Sequence, residues 1–305
     1  MLYFARYSAG ICAAAILSGC NGSQPPLPAL GTPAQARATA SWMSPEAKGE
    51  NLLYIADLGT NSVDVFPYPK GKQVGAITGF GSVATLCVDK AGDVFVVDEA
   101  GPVNVFAHGG TTPIRKLPAT GAPDGCSVDP ATGNLAVTNE SSYLYGTIAI
   151  YAKAKGNPKP YFNDTVDATF FCGYDDKGNL FIDGWDRFAN PIFLQMPKGK
   201  KTFNITKINL KTPGGVQWDG KYVAVGDQGA GLIYRTSATG QIAQTVKLHG
   251  GDSVEQFWIQ GSTLIGPNAA NNGTVPYWRY PDGGSPSSTL KGFVYPIGAT
   301  VSLAH

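Results

Sequence analysis

Short apolar runs recur six times along this chain at a nearly constant spacing. Each run ends in an aspartate or an asparagine, and the six are Leu53–Asp57, Val94–Asp98, Leu135–Asn139, Leu180–Asp183, Tyr222–Asp227 and Leu264–Asn268. Their first residues lie 41, 41, 45, 42 and 42 positions apart. A fixed period of this size is typical of repeat architectures, and a four-stranded propeller blade needs about 40–50 residues. The period therefore predicts a β-propeller.

Turn residues divide each repeat into four strand candidates. In the second repeat the apolar runs are 83–89, 93–98, 103–107 and 114–117, and glycine or proline lies in the segments between them. Runs of this length with turns of this kind favour antiparallel strands over helices. The predicted inner strands, nearest the propeller axis, are 81–89, 121–129, 167–175, 212–219 and 252–260.

The first repeat lacks an inner strand of its own, because it begins directly with its second-strand run. Residues Tyr295–Ser302, at the far end of the chain, resemble the inner-strand segment Ala122–Asp129. The predicted fold is therefore all-β: a six-bladed β-propeller of four-stranded antiparallel blades, the first blade closed by the C-terminal strand. Closure of this kind removes the sheet edge that an open array of blades would leave.

The first 20 residues have the pattern of a targeting segment. Arg6 precedes the apolar run Ala9–Leu17, which is too short to span a bilayer as a mature helix. The run ends in Leu-Ser-Gly-Cys at residues 17–20, which resembles the lipobox of bacterial lipoproteins. That resemblance implies a lipoprotein signal peptide over residues 1–20 and an acylated Cys20, with palmitate as an expected acyl chain. An ordinary cleaved signal peptide is the alternative.

The segment 21–45 is rich in proline and alanine, so we expect a flexible tether between the lipid and a propeller over residues 46–305. An aspartate after the lipidated cysteine is the usual inner-membrane retention signal in Gram-negative lipoproteins. Asn21 at that position favours the outer membrane. The expected location is the cell envelope, with membrane attachment through the N-terminal lipid and the domain facing the periplasm or the cell surface.

Charge excludes one class of partner. The chain of 305 residues has a formal net charge of +1, only 15% of its residues are charged, and no basic stripe is present. Nucleic acid is therefore not an expected partner, and we expect a monomer.

A longer pattern surrounds the second-strand runs. An aspartate, a turn with glycine, three or four mostly apolar residues and a second Asp or Asn occur in Cys87–Asp98, Ser127–Asn139 and Gly173–Asp183. This pattern resembles the NHL-type repeat of six-bladed propellers, and the resemblance covers residues 52–303. It extends more loosely to the gluconolactonase-like and streptogramin-lyase-like propellers. The motifs are specific for the fold and not for a function.

The Asp or Asn that ends each second strand is interpreted as structural. Asx side chains bond local backbone N–H groups and stabilise tight turns. A residue type present in all six repeats is best explained by a role repeated six times. Functional residues are expected where the repeats differ.

In a propeller, the loops before the inner strands and after the second strands share one face, here called the mouth, where the channel opens. Alignment of the inner strands puts six residues at one level near the mouth: Ala84, Asp124, Phe170, Gly214, Glu255 and Ile297. The candidate ligand-binding residues are Asp124, Glu255, Trp185, Arg187, Gln228 and Asn271. Trp185 and the loop tyrosines Tyr143 and Tyr145 are suited to stacking on a sugar or a peptide.

Carboxylate and amide oxygens suit a hard cation such as Ca²⁺. Asp124 and Glu255 are therefore candidate metal ligands, and the resemblance to gluconolactonase-like propellers implies a metal at the mouth; solvated loop residues are the alternative. His249, Glu255 and Asp124 are the candidate catalytic residues, with His249 and Glu255 as possible general bases. The sequence has no paired histidines and no nucleophile elbow.

Three cysteines, Cys87, Cys126 and Cys172, fall within the predicted propeller. Cys126 and Cys172 each stand three residues before an aligned aspartate, while Cys87 is one step out of phase and faces the other way. A disulfide between Cys126 and Cys172 and buried free thiols are both open.

These observations predict a lipid-anchored cell-envelope propeller that acts as a binding or interaction module for a protein, peptide or glycan through its mouth. A purely structural envelope component is a further possibility. The enzymatic alternative is a metal-dependent lactonase-like hydrolase, or a lyase, with its site at the same mouth. The scarcity of convergent histidines and carboxylates favours binding over catalysis.

Overall fold

The computed structural model of the chain describes residues 40–140, 146–206, 208–270 and 273–305. The predicted signal peptide, the predicted lipidation site Cys20 and most of the predicted tether lie outside the described residues. Asn271, Tyr143 and Tyr145 also lie outside them.

The described strands form six antiparallel sheets, as predicted. Blade 1 has β1 (Trp42–Met43), β2 (Leu52–Asp57), β3 (Ser62–Pro67) and β4 (Gly75–Ile77), and it receives β25 (Pro296–Ser302). Blade 2 has β5 (Val83–Val88), β6 (Val94–Asp98), β7 (Val103–Phe106) and β8 (Pro113–Leu117). Blade 3 has β9 (Pro123–Val128), β10 (Leu135–Asn139), β11 (Thr147–Tyr151) and β12 (Lys159–Phe162).

The other three blades follow in chain order. Blade 4 has β13 (Val166–Tyr174), β14 (Leu180–Asp186), β15 (Pro191–Met196) and β16 (Asn204–Thr206). Blade 5 has β17 (Pro213–Trp218), β18 (Val223–Asp227), β19 (Leu232–Thr236) and β20 (Ile242–Lys247). Blade 6 has β21 (Trp258–Gln260), β22 (Thr263–Ile265), β23 (Thr274–Arg279) and β24 (Gly283–Lys291). Short 3₁₀ helices cover Pro45–Gly49, Ala152–Ala154 and Gln228–Ala230.

The C-terminal strand closes the first blade, which confirms the predicted topology. Strand β25 pairs antiparallel with β2, from Leu52 opposite Ser302 to Ala56 opposite Gly298. All seven residues of β25 are buried. The inner position of blade 1 is therefore filled from the other end of the chain, and the ring has no open sheet edge at its seam.

Blade 1 also has a fifth strand that the sequence did not indicate. Trp42 pairs with Ala76 and Met43 with Gly75, which places β1 outside β4 at the edge of the sheet. Strand β1 thus lies within the segment 21–45 that was predicted to be the tether.

The core consists of one apolar layer between each pair of neighbouring blades. Strand β2 shows why: Leu52 and Tyr54 pack towards blade 2, whereas Leu53 and Ile55 pack towards blade 6. Successive side chains of a strand point to opposite faces of the sheet, and both faces are covered here. The second strands therefore appear in the sequence as continuous apolar runs rather than as an alternating pattern.

The disulfide in the structure differs from the Cys126–Cys172 bond considered above. Cys87 and Cys126 form the disulfide, with 5.8 Å between their Cα atoms, and Cys172 is a buried free thiol. Cys87 and Cys126 belong to the layer between blades 2 and 3, while Cys172 belongs to the layer between blades 3 and 4. Residues at the same position of adjacent inner strands point the same way around the ring, so they cannot meet. The out-of-phase cysteine is the one that faces its neighbour, and a Cys126–Cys172 pairing is wrong.

Removal of the closing strand tests the ring topology. We expect a chain truncated after Gly292 to lose cooperative thermal unfolding, because β2 would be left with an open edge and an uncovered apolar layer. A chain truncated after Ser302 keeps β25 and is the matched control. Circular dichroism melts compare the two. Unchanged melting of the shorter chain would contradict the closure.

Reduction tests the cysteine assignment. The two bonded cysteines are 39 residues apart, and a closed loop of this length stabilises a fold by about 2–4 kcal/mol. We expect Cys87→Ser and Cys126→Ser each to lower the melting temperature by roughly 5–15 °C and to abolish its sensitivity to reductant. Cys172→Ser should keep that sensitivity. Alkylation of the unreduced, unfolded propeller should modify Cys172 alone; modification of Cys87 or Cys126 would count against the bond.

Candidate functional site

The inner strands of blades 1 to 5 bulge at one common level. In blade 2, for example, pairing passes from Val83 opposite Asp98 to Leu86 opposite Val96, which leaves two inner-strand residues opposite one. We call the residues at this level the axial collar; they are Ala84–Thr85, Asp124–Gly125, Phe170–Phe171, Gly214–Gly215, Glu255–Gln256 and Ile297–Gly298. Bulges re-aim the backbone and increase the local twist, and here they turn inner-strand backbone groups towards neighbouring blades.

Hydrogen bonds across the collar join one blade to the next. The carbonyl of Asp124 accepts a bond from the Thr85 hydroxyl of the preceding blade. The Glu255 carbonyl accepts from Gly215 N at 2.6 Å, and the Ile297 carbonyl accepts from Gln256 N at 3.2 Å. These bonds confirm that the residues aligned in the sequence lie at one level.

Small and large residues alternate around the collar. The second residues of the six pairs, from blade 1 to blade 6, are Gly298, Thr85, Gly125, Phe171, Gly215 and Gln256. A Cβ on Gly125 would lie 2.2 Å from the Phe170 carbonyl oxygen, and a Cβ on Gly215 would lie 2.9 Å from Phe257 N. Glycine is required at these positions because the next blade's backbone occupies the space that a side chain would need.

Gln256 joins three blades and was not identified from the sequence. Its Nε2 donates to the Leu86 carbonyl of blade 2 at 2.7 Å. Its Oε1 accepts from Leu86 N and from Ala299 N of blade 1, both at 3.2 Å. A side chain that reaches from blade 6 to blade 2 crosses the axis region. The Gln256 side chain therefore lies near the axis, between the mouth and the opposite end of the channel.

On the mouth side, the predicted ligand-binding residues that the structure describes have different surroundings. Asp124 is buried, with 7% of its surface exposed. Gln228 uses its amide to donate to the Pro213 carbonyl at 2.7 Å, so its side chain holds the mouth loop to β17. Trp185 is half-buried on β14 opposite Ala168. Arg187 is exposed.

The candidate catalytic residues also lie apart. His249 N donates to the Gly284 carbonyl, and His249 Nδ1 lies 3.4 Å from the Ser285 hydroxyl on β24, the outermost strand of blade 6. Strands in a sheet are about 4.8 Å apart, so β24 lies about 14 Å from the inner strand. His249 is thus at the periphery, whereas Asp124 and Glu255 are in the collar of blades 3 and 6.

Within the four described ranges, no three His, Cys, Asp or Glu side chains are grouped closely enough to hold a metal ion. The possible Ca²⁺ ligands Asp124 and Glu255 belong to opposite blades, as the alignment indicated.

The Asp residues that end second strands accept hydrogen bonds from backbone N–H groups, as predicted, whereas Asn139 and Asn268 donate their side-chain amides to the Thr147 and Gly250 carbonyls. Asp57 accepts from Val294 N and Tyr295 N, both at 2.8 Å, and Asp98 accepts from Gly81 N at 3.0 Å and Ser82 N at 2.8 Å. Each carboxylate thus fixes the loop that leads into its own blade's inner strand.

Asp183 differs from its equivalents because it joins two blades. It accepts from Phe171 N at 2.8 Å in blade 4 and from Gly214 N at 2.9 Å in blade 5. Burial raises the pKa of Asp183 well above its usual value, against the opposing effect of these hydrogen bonds. Its position between two collar segments makes it part of the collar's support and not a group open to a ligand.

Large apolar side chains are exposed on two mouth loops. Phe188, in the β14–β15 hairpin of blade 4, is 86% exposed; Val294 and Tyr295, in the loop before β25, are 55% and 40% exposed. Phe188 and Val294 were not identified from the sequence, because a single apolar residue in a turn carries no periodic signal.

The backbone under these exposed residues is held rigidly. Asp186 Oδ1 accepts from Phe188 N and Asn190 N, both at 2.8 Å, and Ala189 adopts the left-handed region with φ 58°. Burial raises the pKa of Asp186, but the hydrogen bonds from Asn190 and Phe188 outweigh it and leave the pKa below its usual value. On the other side of the mouth, Asp57 holds the backbone of Val294 and Tyr295 as described above.

A cavity of about 240 Å³ lies at the opposite end of the channel. The inner strands of blades 2 to 6 line it with residues that follow the collar, among them Val88, Val128, Tyr174, Trp218 and Trp258. This end of the channel was not identified from the sequence, because the differences between repeats drew attention to the mouth alone.

Comparison with known proteins defines the chain at the level of fold. A chain of the crystal structure of a nidogen/laminin complex superimposes with a TM-score of 0.68 at 17% identity, covering 84% of this chain and 99% of that one. A protein of unknown function from Bacteroides caccae gives a TM-score of 0.65 at 15% identity, covering 83% of this chain and 99% of that one. Similarities at such low identity identify a six-bladed β-propeller and nothing more specific.

No family model matches the chain. No curated protein matches it either. The resemblance to NHL-type and gluconolactonase-like repeats therefore stays a prediction. Among the described residues, no helix is both long enough and apolar enough to cross a membrane.

Proposed function

We propose that this propeller is a protein-binding module of the bacterial cell envelope, anchored through a lipid on Cys20, with the mouth as its docking face. The observation that supports this docking face is that two mouth loops expose Phe188, Val294 and Tyr295 to solvent. The backbone N–H groups of these three residues are hydrogen-bonded to aspartate side chains.

Exposure of these side chains to water is unfavourable in free energy, and burial against a partner would remove that penalty. Water contact with large apolar groups is unfavourable, at about 25 cal/mol per Å² of apolar surface. Protein interfaces commonly place aromatic residues at their energetic centres. Side chains on a pre-ordered backbone lose less conformational entropy on association than those on mobile loops. The aspartate clamps on both loops supply that order before a partner arrives.

The comparison with solved structures supports the same class of function. The first of the two structures is that of a nidogen/laminin complex, so a chain of similar fold has been crystallised in a protein assembly. The mixed charge of the mouth, with Arg187 and Glu140 both exposed, suits a protein partner with its own polar rim.

Site-specific photo-crosslinking in cells tests the docking face. A crosslinking amino acid at position 188 should capture a discrete partner, whereas the same group at Ile205, 64% exposed on the outer strand of blade 4, should not capture it. With the purified partner, Phe188→Ser and Tyr295→Ser should each weaken binding roughly tenfold or more, and Ile205→Ser should leave it unchanged. Equal capture from both positions, or equal affinities, would reject the mouth as the docking face.

Metabolic labelling tests the anchor. The full chain expressed in a Gram-negative host should incorporate labelled palmitate and fractionate with the outer membrane. Cys20→Ala should abolish both. Cys12→Ala, which changes a cysteine inside the apolar run of the signal segment, is the matched control and should keep both. Label retained by the Cys20 variant would overturn the proposed anchor.

A further inference from the structure

The cavity beyond the collar has the features of a small-molecule site, and nothing above assigns it a role. Gln256, a collar residue, is part of its lining and lies on its mouth side. Five different blades supply its walls. Pockets for drug-sized ligands have volumes of about 300–1,000 Å³. A cavity of about 240 Å³ suits a ligand with a single ring.

The side chains that line the cavity restrict the charge of the ligand. No residue of the lining is charged. Burial of an ion without a counter-charge is strongly unfavourable, so a neutral ligand is expected. Two tryptophans, Trp218 and Trp258, lie in the wall together with Tyr174 and Pro130. Trp218 and Trp258 are only half-buried, unlike the core aromatics Tyr54 and Phe95, which are fully buried.

Backbone groups add hydrogen-bonding capacity to these apolar walls. Each inner strand is an edge strand on its axial side, where every second residue directs its N–H and C=O away from the sheet. Asp89 N, Asp129 N and Asp219 N bond within their own hairpins. The preceding residues Val88, Val128 and Trp218 therefore direct their backbone N–H and C=O groups to the axial side. Leu86, two residues before Val88, shows this phase directly, since both its N–H and its C=O bond to Gln256.

Aromatic walls, a polar backbone edge and the absence of charge are complementary to the surface of one class of ligand. A sugar ring presents apolar C–H faces, which stack on indole and phenol rings, and a belt of hydroxyls that donate and accept hydrogen bonds. We propose that the axial cavity binds a neutral monosaccharide unit, either free or as the terminal residue of a glycan, on the side of the collar away from the docking face.

The affinity of such a site is limited by the size of the ligand. A sugar unit has only about 12 non-hydrogen atoms, so we expect a dissociation constant on the order of 1 mM. Ligand-detected NMR is suited to this range. The probes are glucose, galactose and N-acetylglucosamine as neutral rings, glucuronic acid as a charged ring, and indole as an aromatic ring without hydroxyls.

The expected result is saturable binding of at least one neutral sugar, with glucuronic acid bound at least tenfold more weakly. Val128→Trp fills the cavity from a half-exposed position, so it should abolish the binding while thermal unfolding shows an intact fold. Ile205→Trp introduces the same side chain at a position that is 64% exposed on the outer strand of blade 4, so it is the matched control and should bind the sugar normally. An oligosaccharide that ends in the same sugar and binds equally well would identify a glycan terminus as sufficient; binding of the free sugar alone would identify a monosaccharide.

Three outcomes would overturn the proposal. The first is no saturable binding of any neutral sugar in the millimolar range. The second is binding that survives in folded Val128→Trp, which would place the ligand elsewhere. The third is binding of indole without any sugar, which would make the cavity an aromatic site. Because the docking face is tested by Phe188 and Tyr295 variants, failure of one proposal leaves the other unaffected.

Discussion

The hydrogen bonds that join the six inner strands around the axis are the interaction on which the rest of the structure depends. A sheet offers its inner strand no partner on the axial side, and buried backbone groups without partners are costly. The chain meets this requirement with bulges, glycines and a few polar side chains, namely Thr85, Ser127, Thr138, Gln217 and Gln256. Because each of them reaches a neighbouring blade, the blades are held in register at the axis as well as by their apolar layers.

Sequence periodicity was sufficient to predict the blades, because a second strand buried on both faces is apolar throughout and ends in a turn-forming Asp or Asn. The closing strand was also predictable, since Tyr295–Ser302 repeats the inner-strand pattern. Pairing of β1 with β4 was not predictable, because two residues cannot show a period. The inner strand of blade 6 was predicted over 252–260 but forms only as Trp258–Gln260, with an isolated bridge between Val254 and Asn268.

The functional site was less predictable than the fold, for geometric reasons. Alignment correctly placed Asp124 and Glu255 at one level, but at that level the bulged strands turn backbone carbonyls towards the adjacent blades, and Asp124 is buried. His249 was assigned to the functional face from its place before an inner strand. The loop instead carries it to the outermost strand of blade 6. The Cys126–Cys172 pairing was wrong for a related reason. Residues at equivalent positions of adjacent inner strands point in the same direction around the ring, whereas two side chains in contact must point towards each other.

The proposed lipid anchor has a consequence for the two ends of the channel. Trp42, in β1, lies on the outermost strand of blade 1, so the chain that leads towards Cys20 leaves from the circumference and not from either end of the channel. The 21 residues from Asn21 to Ser41 reach at most about 75 Å when fully extended. A lipid on Cys20, as proposed, would leave both the mouth and the axial cavity open, so the proposed partner at one end would not compete with the proposed ligand at the other.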